Sequence, residues 1–141
     1  GAAKAAMVGL MNVLHHEGAK NNIRVNTLAP TAATRMLEGL IPPQVADLMA
    51  PELVTPGVLY LVSEDAPSKT ILGAGAGCFS VVHIYETPAV FVGGANATVD
   101  DVAANWAKIS NPANEQPIDA AFAQTNKFVA AAAEALGVKL G

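Results

Sequence analysis

The sequence predicts an α/β fold: the closing part of a doubly wound parallel sheet, continued by a β segment and two helices. Three observations carry this. Residues 1–28 read as amphipathic helix, tight turn and β-branched strand, which is half of a βαβ unit. Residues 70–92 alternate β-forming runs with glycine and proline. Residues 98–136 hold two helical patterns separated by a polar loop with Pro112 and Pro117.

The first helix is marked by Met7, Leu10, Met11 and Leu14, which recur at the spacing of one helical face. Gly18 is its expected C-cap. The run from Ile23 to Leu28 is strand-forming and is expected to stop at Pro30. Residues 31–50 are expected to be irregular: Pro42 and Pro43 interrupt two short apolar patches, Met36 to Ile41 and Val45 to Met49. Such a segment after a strand end is where active-site lids sit. A second helix spans 51–64, with Leu53, Val54, Val58, Leu61 and Val62 on its apolar face and Thr55 as N-cap before Pro56.

Thr70 to Leu72 reads as a short strand, followed by alternating glycine and alanine from Gly73 to Gly77. A dinucleotide fingerprint needs a further glycine where Cys78 stands, and then a helix. A strand-like run follows instead, so these glycines read as a bend between β segments. Phe79 to Tyr85 and Ala89 to Val92 are expected to pair as a hairpin. Thr98 and Asp101 resemble a capping box that opens a helix to Ile109, with Val99, Val102, Ala103 and Trp106 inward. The last helix ends near Leu136, stopped by Gly137 and striped by Ile118, Phe122, Phe128, Val129 and Leu136. The reading is one partial domain: a core over 1–72, with the lid near 31–50, and an extension over 73–141.

Composition narrows the function classes. The 141 residues are 52% hydrophobic and only 14% charged, so much of this surface must be hidden in a core or against partners. Mean hydropathy is +0.35, yet no apolar run reaches the roughly 18 residues of a membrane span. Eight unclustered basic residues and a net charge of −4 argue against nucleic acid. One cysteine, Cys78, excludes an intrachain disulfide and fits a reducing, cytoplasmic setting. His15 and His16 are adjacent, so they point about 100° apart on a helix and do not chelate a metal together. Asp100 and Asp101 read as favourable charges at a helix N-terminus, not as a catalytic dyad. The sequon at Asn96 reads as idle.

Several pieces, in this order, resemble the short-chain dehydrogenases/reductases. They are Gly1-Ala2-Ala3-Lys4, the helix face at 7, 10, 11 and 14, the run from Glu17 to Asn26, and Leu28-Ala29-Pro30. Thr34-Arg35-Met36, the segment Pro51 to Pro56, Gly73 to Gly77 and Val102 to Ile109 are similar to the (3R)-hydroxyacyl-CoA dehydrogenase unit of peroxisomal multifunctional enzymes and their bacterial relatives. The implied fold is the C-terminal part of a Rossmann-like sheet. Gly1 to Lys4 look like the tail of a Tyr-x-x-x-Lys motif whose tyrosine precedes Gly1.

The resemblance implies the roles. Lys4 is the motif lysine, which binds the nicotinamide ribose and lowers the tyrosine pKa. A nearby cation does favour a phenolate. Asn26 resembles the strand asparagine that supports the active site. Pro30, Thr31, Ala32 and Thr34 pass beside the nicotinamide, although the family usually has Pro-Gly where this chain has Pro30-Thr31. Met36, Leu37, Leu40, Leu48 and Met49 form the substrate lid. The family's Gly-rich nucleotide loop, catalytic serine and motif tyrosine are absent from these residues, so the parent enzyme uses NAD or NADP while this chain alone is expected to bind neither. The expected function is part of an oxidoreductase acting on 3-hydroxyacyl or 3-ketoacyl-CoA. The alternatives are a self-associating module without turnover and a steroid or ketone reductase. The expected partner is the missing N-terminal half or other copies of the chain, as a homo-oligomer.

Overall fold

A computed structural model describes residues 1–118 and 120–140. The chain divides into two compact units, Gly1–Val82 and His83–Gly141.

In the first unit, helix α1 (Ala2–Ala19) leads to strand β1 (Thr27–Thr31). A 3-10 turn (Arg35–Leu37), helix α2 (Pro43–Asp47), a second 3-10 turn (Pro51–Val54) and helix α3 (Thr55–Leu61) follow. Strands β2 (Ile71–Gly75) and β3 (Cys78–Val82) close the unit. The sheet order is β1-β2-β3, with β1 parallel and β3 antiparallel to β2. The α/β class and the parallel pair are as the sequence predicts. The core is small: Met11, Val54, Ala66, Ile71, Leu72 and Ala74 are buried.

Several boundaries differ from the sequence reading, each for a local reason. Gly18 lies inside α1, and the left-handed residue after the helix is Asn22, at φ 55°. A Cβ on Gly18 would stand 2.9 Å from the Cβ of Ile23, so close chain reversal fixes this glycine. The ladder of β1 starts at Thr27 because residues 24–26 bond to an irregular loop instead. The Val25 N–H donates to Ser68 Oγ at 3.0 Å, and Val25 O accepts from Lys69 N at 2.8 Å. Arg24 donates to the Glu64 carbonyl, and Ser68 Oγ also bonds His15 Nδ1 at 2.8 Å. Pro30 does not stop β1 but sits within it, opposite Ala74. Among the described residues β1 pairs on one side only, where a proline without N–H is tolerated. Thr55 is the first residue of α3 rather than its cap, because the preceding 3-10 turn already supplies the entry.

The expected hairpin of 79–85 with 89–92 does not form. Instead β2 and β3 make the hairpin through Ala76 and Gly77, at φ 51° and 71°. Two positive φ values in a two-residue loop define the type I′ geometry that matches strand twist. The alternating glycines are therefore strand and turn. The first unit runs through Val82 because β3 belongs to its sheet.

The second unit pairs β4 (Tyr85–Glu86) with β5 (Gln116–Pro117) and carries α4 (Val99–Ile109) and α5 (Ala121–Leu136). The capping box is present: Asp101 N donates to Thr98 Oγ1 at 3.2 Å, and Thr98 N returns a bond to Asp101 Oδ2 at 2.9 Å. Gly137 ends α5 in the left-handed conformation, at φ 66°. Lys127 pairs with Glu86 and donates to the Thr87 carbonyl at 3.0 Å. The helix stripes read as inward are exposed: Val99 is 85%, Trp106 60% and Phe122 78% accessible, and Ile118 lies before α5. Among the described residues of this unit, Ala133 is the one buried apolar side chain.

Candidate functional site

In open α/β sheets, ligands bind outside the carboxyl ends of the parallel strands. Here those ends are Pro30 and Thr31 on β1 and Ala74 and Gly75 on β2, which lie in register. The approach is tight, since a Cβ on Gly75 would stand 2.8 Å from the Thr31 carbonyl oxygen. Glycine at 75 is what allows β1 to stay paired to its last residue.

Asn26 secures the other end of this strand pair. Its Nδ2 donates to the Pro67 carbonyl at 2.7 Å, and its Oδ1 accepts from Thr70 N at 3.1 Å. One half-buried carboxamide thus fixes the loop that feeds β2. Thr27 N donates to Thr70 O at 2.8 Å and begins the ladder.

Beyond Thr31 the chain leaves the sheet and returns. The Ala33 N–H donates to the Met49 carbonyl at 2.7 Å, closing residues 33–49 at their base. Within this loop lies a pocket of about 320 Å³. Ala33, Leu37, Ile41, Pro43 and Ala46 form its apolar wall, and Thr34, Arg35 and Glu38 line it as well. Thr34 precedes the first 3-10 turn in extended conformation, and its hydroxyl makes no capping bond. That hydroxyl is free to meet a ligand.

The expected site residues are only partly gathered. Pro30 and Thr31 end β1, Ala32 follows the strand, and of these four residues Thr34 alone lines the pocket. Of the five expected lid residues, Leu37 alone lines the pocket; Met36, Leu40, Leu48 and Met49 do not. Met36 is 86% accessible, because in a 3-10 turn three residues cannot all face one side. Ile41 and Ala46 were missed as lining residues, although Leu37 and Ile41 stand four apart. Lys4 is exposed on the first turn of α1, and no hydrogen bond or ion pair joins it to the strand end. Among the described residues no group of three metal-ligating side chains exists, and no helix is long and apolar enough to cross a membrane.

The residues fit a nicotinamide cofactor at one end only. The Thr34 hydroxyl and the exposed backbone at the end of β1 suit a carboxamide. Pyrophosphate needs backbone N–H groups at a helix start. The glycines at 73–77 instead form a strand and a turn into another strand. No hydride-transfer step is therefore assigned to these residues alone.

Fold and pocket together define an α/β protein with a parallel strand pair and a pocket within the loop that follows β1. More particularly, the chain is related to the short-chain dehydrogenases/reductases over part of their length. It is 43% identical over 116 residues to a protein of Mycobacterium tuberculosis designated a short-chain type dehydrogenase/reductase, covering 79% of this chain and 39% of that protein. It is 37% identical over 112 residues to peroxisomal multifunctional enzyme A of Dictyostelium discoideum, covering 79% of this chain and 25% of the relative. The solved full-length peroxisomal multifunctional enzyme type 2 of Drosophila melanogaster superposes on 96% of this chain and 25% of its own, with a TM-score of 0.78 at 23% identity, which shows a shared fold. No family model matches the chain. The chain thus spans well under half the length of these relatives.

Proposed function

We propose that these residues form the motif-lysine, nicotinamide-loop and substrate-lid part of an NAD(P)-dependent oxidoreductase acting on 3-hydroxyacyl or 3-ketoacyl-CoA thioesters. The observation that carries this is the run from β1's carboxyl end through Thr34 into a closed loop with an apolar pocket, in a chain related to proteins named as dehydrogenases. A yeast relative from Saccharomyces cerevisiae, 46% identical over 79 residues, bears the name peroxisomal hydratase-dehydrogenase-epimerase. In this reading Lys4 holds the cofactor ribose and keeps a tyrosine phenolate accessible near neutral pH. Thr34 and the backbone at 30–32 orient the carboxamide. The apolar wall of the pocket receives the acyl chain and excludes water.

The nucleotide loop and catalytic tyrosine then come from protein outside these residues, either an N-terminal half or an assembly that contains one. Surface area supports a partner. The accessible surface is 10282 Å². Area scaling gives roughly 6,800 Å² for one globule of this mass, and roughly 8,200 Å² for two separate globules the size of the two units. The excess of about 2,000 Å² exceeds the ~800 Å² that each side of an ordinary interface buries. The same surface favours, as a second reading, a module that associates with copies of itself and has no turnover.

The test is an NADH-oxidation assay of the chain, alone and mixed with the separately expressed N-terminal half of a homologous reductase. The chain alone should show neither tight NADH binding nor turnover. Mixing should restore activity on a 3-ketoacyl-CoA, and Lys4→Ala should remove it. Tight NADH binding by the chain alone contradicts the division of the site. Faster turnover of a steroid ketone refutes the substrate class. Oligomers with no activity in any mixture favour the second reading.

A further inference from the structure

We propose that the pocket within residues 33–49 takes a short apolar chain that ends in an anionic group, and that Arg35 reads this anion. The proposal rests on the reading of this loop as a substrate lid and adds the charge that the lid selects. Five apolar side chains supply one wall of the roughly 320 Å³ space, a size within the range of small-molecule pockets. The polar lining is concentrated on consecutive residues, Thr34 and Arg35, with Glu38 three positions on.

Arg35 presents a planar fork of N–H donors suited to a carboxylate or phosphate. Its side chain makes no hydrogen bond or ion pair with another described residue. The Thr34 hydroxyl beside it is not spent on a cap and adds a donor. Glu38 lines the same pocket and forms no ion pair with Arg35. It stands three positions after Arg35 around a 3-10 turn, and its carboxylate repels an anion in the same space, so it reduces the preference that Arg35 creates. A neutral alcohol or ketone can hydrogen-bond to these groups but gains no charge–charge attraction from Arg35.

The anion could be a carboxylate on the acyl chain or a phosphate on the carrier, and the probes separate them. Hexanoate, hexyl phosphate, hexan-1-ol and hexylamine are titrated into the intact chain, and dissociation constants are read from amide chemical shifts of residues 33–46. At least one anion should bind about fivefold tighter than the alcohol, the upper range for an exposed charge pair. Arg35→Gln should abolish that preference without weakening hexan-1-ol, Arg35→Lys should keep part of it, and Glu38→Gln should enlarge it. The favoured anion identifies carboxylate or phosphate as the group read. Equal binding of anions and alcohol overturns the charge reading but leaves an apolar acyl pocket standing. Tighter binding of hexylamine assigns the selection to Glu38 and refutes the proposal. If none of the probes binds, both the proposal and the lid reading fall.

Discussion

Two glycines on one strand give a test in which the substitution is the same and the neighbour differs. A Cβ added to Gly75 meets the Thr31 carbonyl oxygen at 2.8 Å and the Thr31 Cβ at 3.2 Å. A Cβ added to Gly73 meets the Ser80 hydroxyl at 2.8 Å, with the Ser80 carbonyl 3.6 Å away. Neither position has positive φ, so backbone freedom does not separate them. The hydroxyl of Ser80 can rotate away, and Gly73→Ala should then come close to neutral. In a strand interior alanine is worth about 0.5–1 kcal/mol over glycine, which offsets the small cost of moving Ser80. The carbonyl of Thr31 belongs to the backbone of a paired strand and cannot rotate. Overpacking of this kind costs about 1–3 kcal/mol, leaving Gly75→Ala destabilised by about 1–2 kcal/mol after the alanine gain. At about 4–8 °C per kcal/mol for a unit of this size, the midpoint should fall by roughly 5–15 °C. The assay is urea and thermal unfolding of both variants by circular dichroism, with amide shifts as a local readout. Gly75→Ala should also move the resonances of Thr31 and Ala32, the candidate nicotinamide loop, and Gly73→Ala should not. Equal stability of the two variants, or a more stable Gly75→Ala, would refute the close approach at the strand ends.

Three further outcomes follow from single contacts. Ala76→Asn should stabilise the chain by about 0.5–1 kcal/mol, read as a higher urea midpoint with unchanged m-value, because Asn-Gly suits a type I′ turn and alanine does not. Asn26→Ala should cost about 1–3 kcal/mol in denaturant unfolding, since it leaves Thr70 N and the Pro67 carbonyl without their partner in a half-buried loop. The Thr98 hydroxyl and backbone N–H hold the Asp101 carboxyl below its ordinary pKa. A carboxylate with a lowered folded-state pKa adds stability that is complete above the ordinary value and lost as pH falls through the lowered one. Helix content of α4 should therefore drop at acid pH in the native chain, and this acid step should vanish in Asp101→Asn; Thr98→Ala should cost about 1 kcal/mol at neutral pH.

Much of the candidate site was legible because it is local. A helix, a strand near Pro30 and an interrupted loop after it are signalled by adjacent residues, whereas the strand's bounds and the strand-and-turn role of the glycines at 73–77 are not. What stayed hidden depends on residues far apart in sequence. Asn26 is readable as a supporting residue, but its partners Pro67 and Thr70 are fixed only by the return of the chain. Arg35 carries no periodic signal, and its place on the pocket wall follows from a 3-10 turn that the sequence reading treats as irregular.

By itself the sequence determined the α/β class, the start of α4 with its capping box, and the residue types along the loop after β1. These rest on spacing, turn residues and hydrogen bonds between near neighbours. Tertiary structure alone decided which strands pair, where the hairpin turns, and which residues of the loop after β1 line its pocket. It also decided that the apolar stripes of α4 and α5 lie open. A hydrophobic period says that a face must be covered, and does not say by what. Within the described residues the chain covers few of its own stripes.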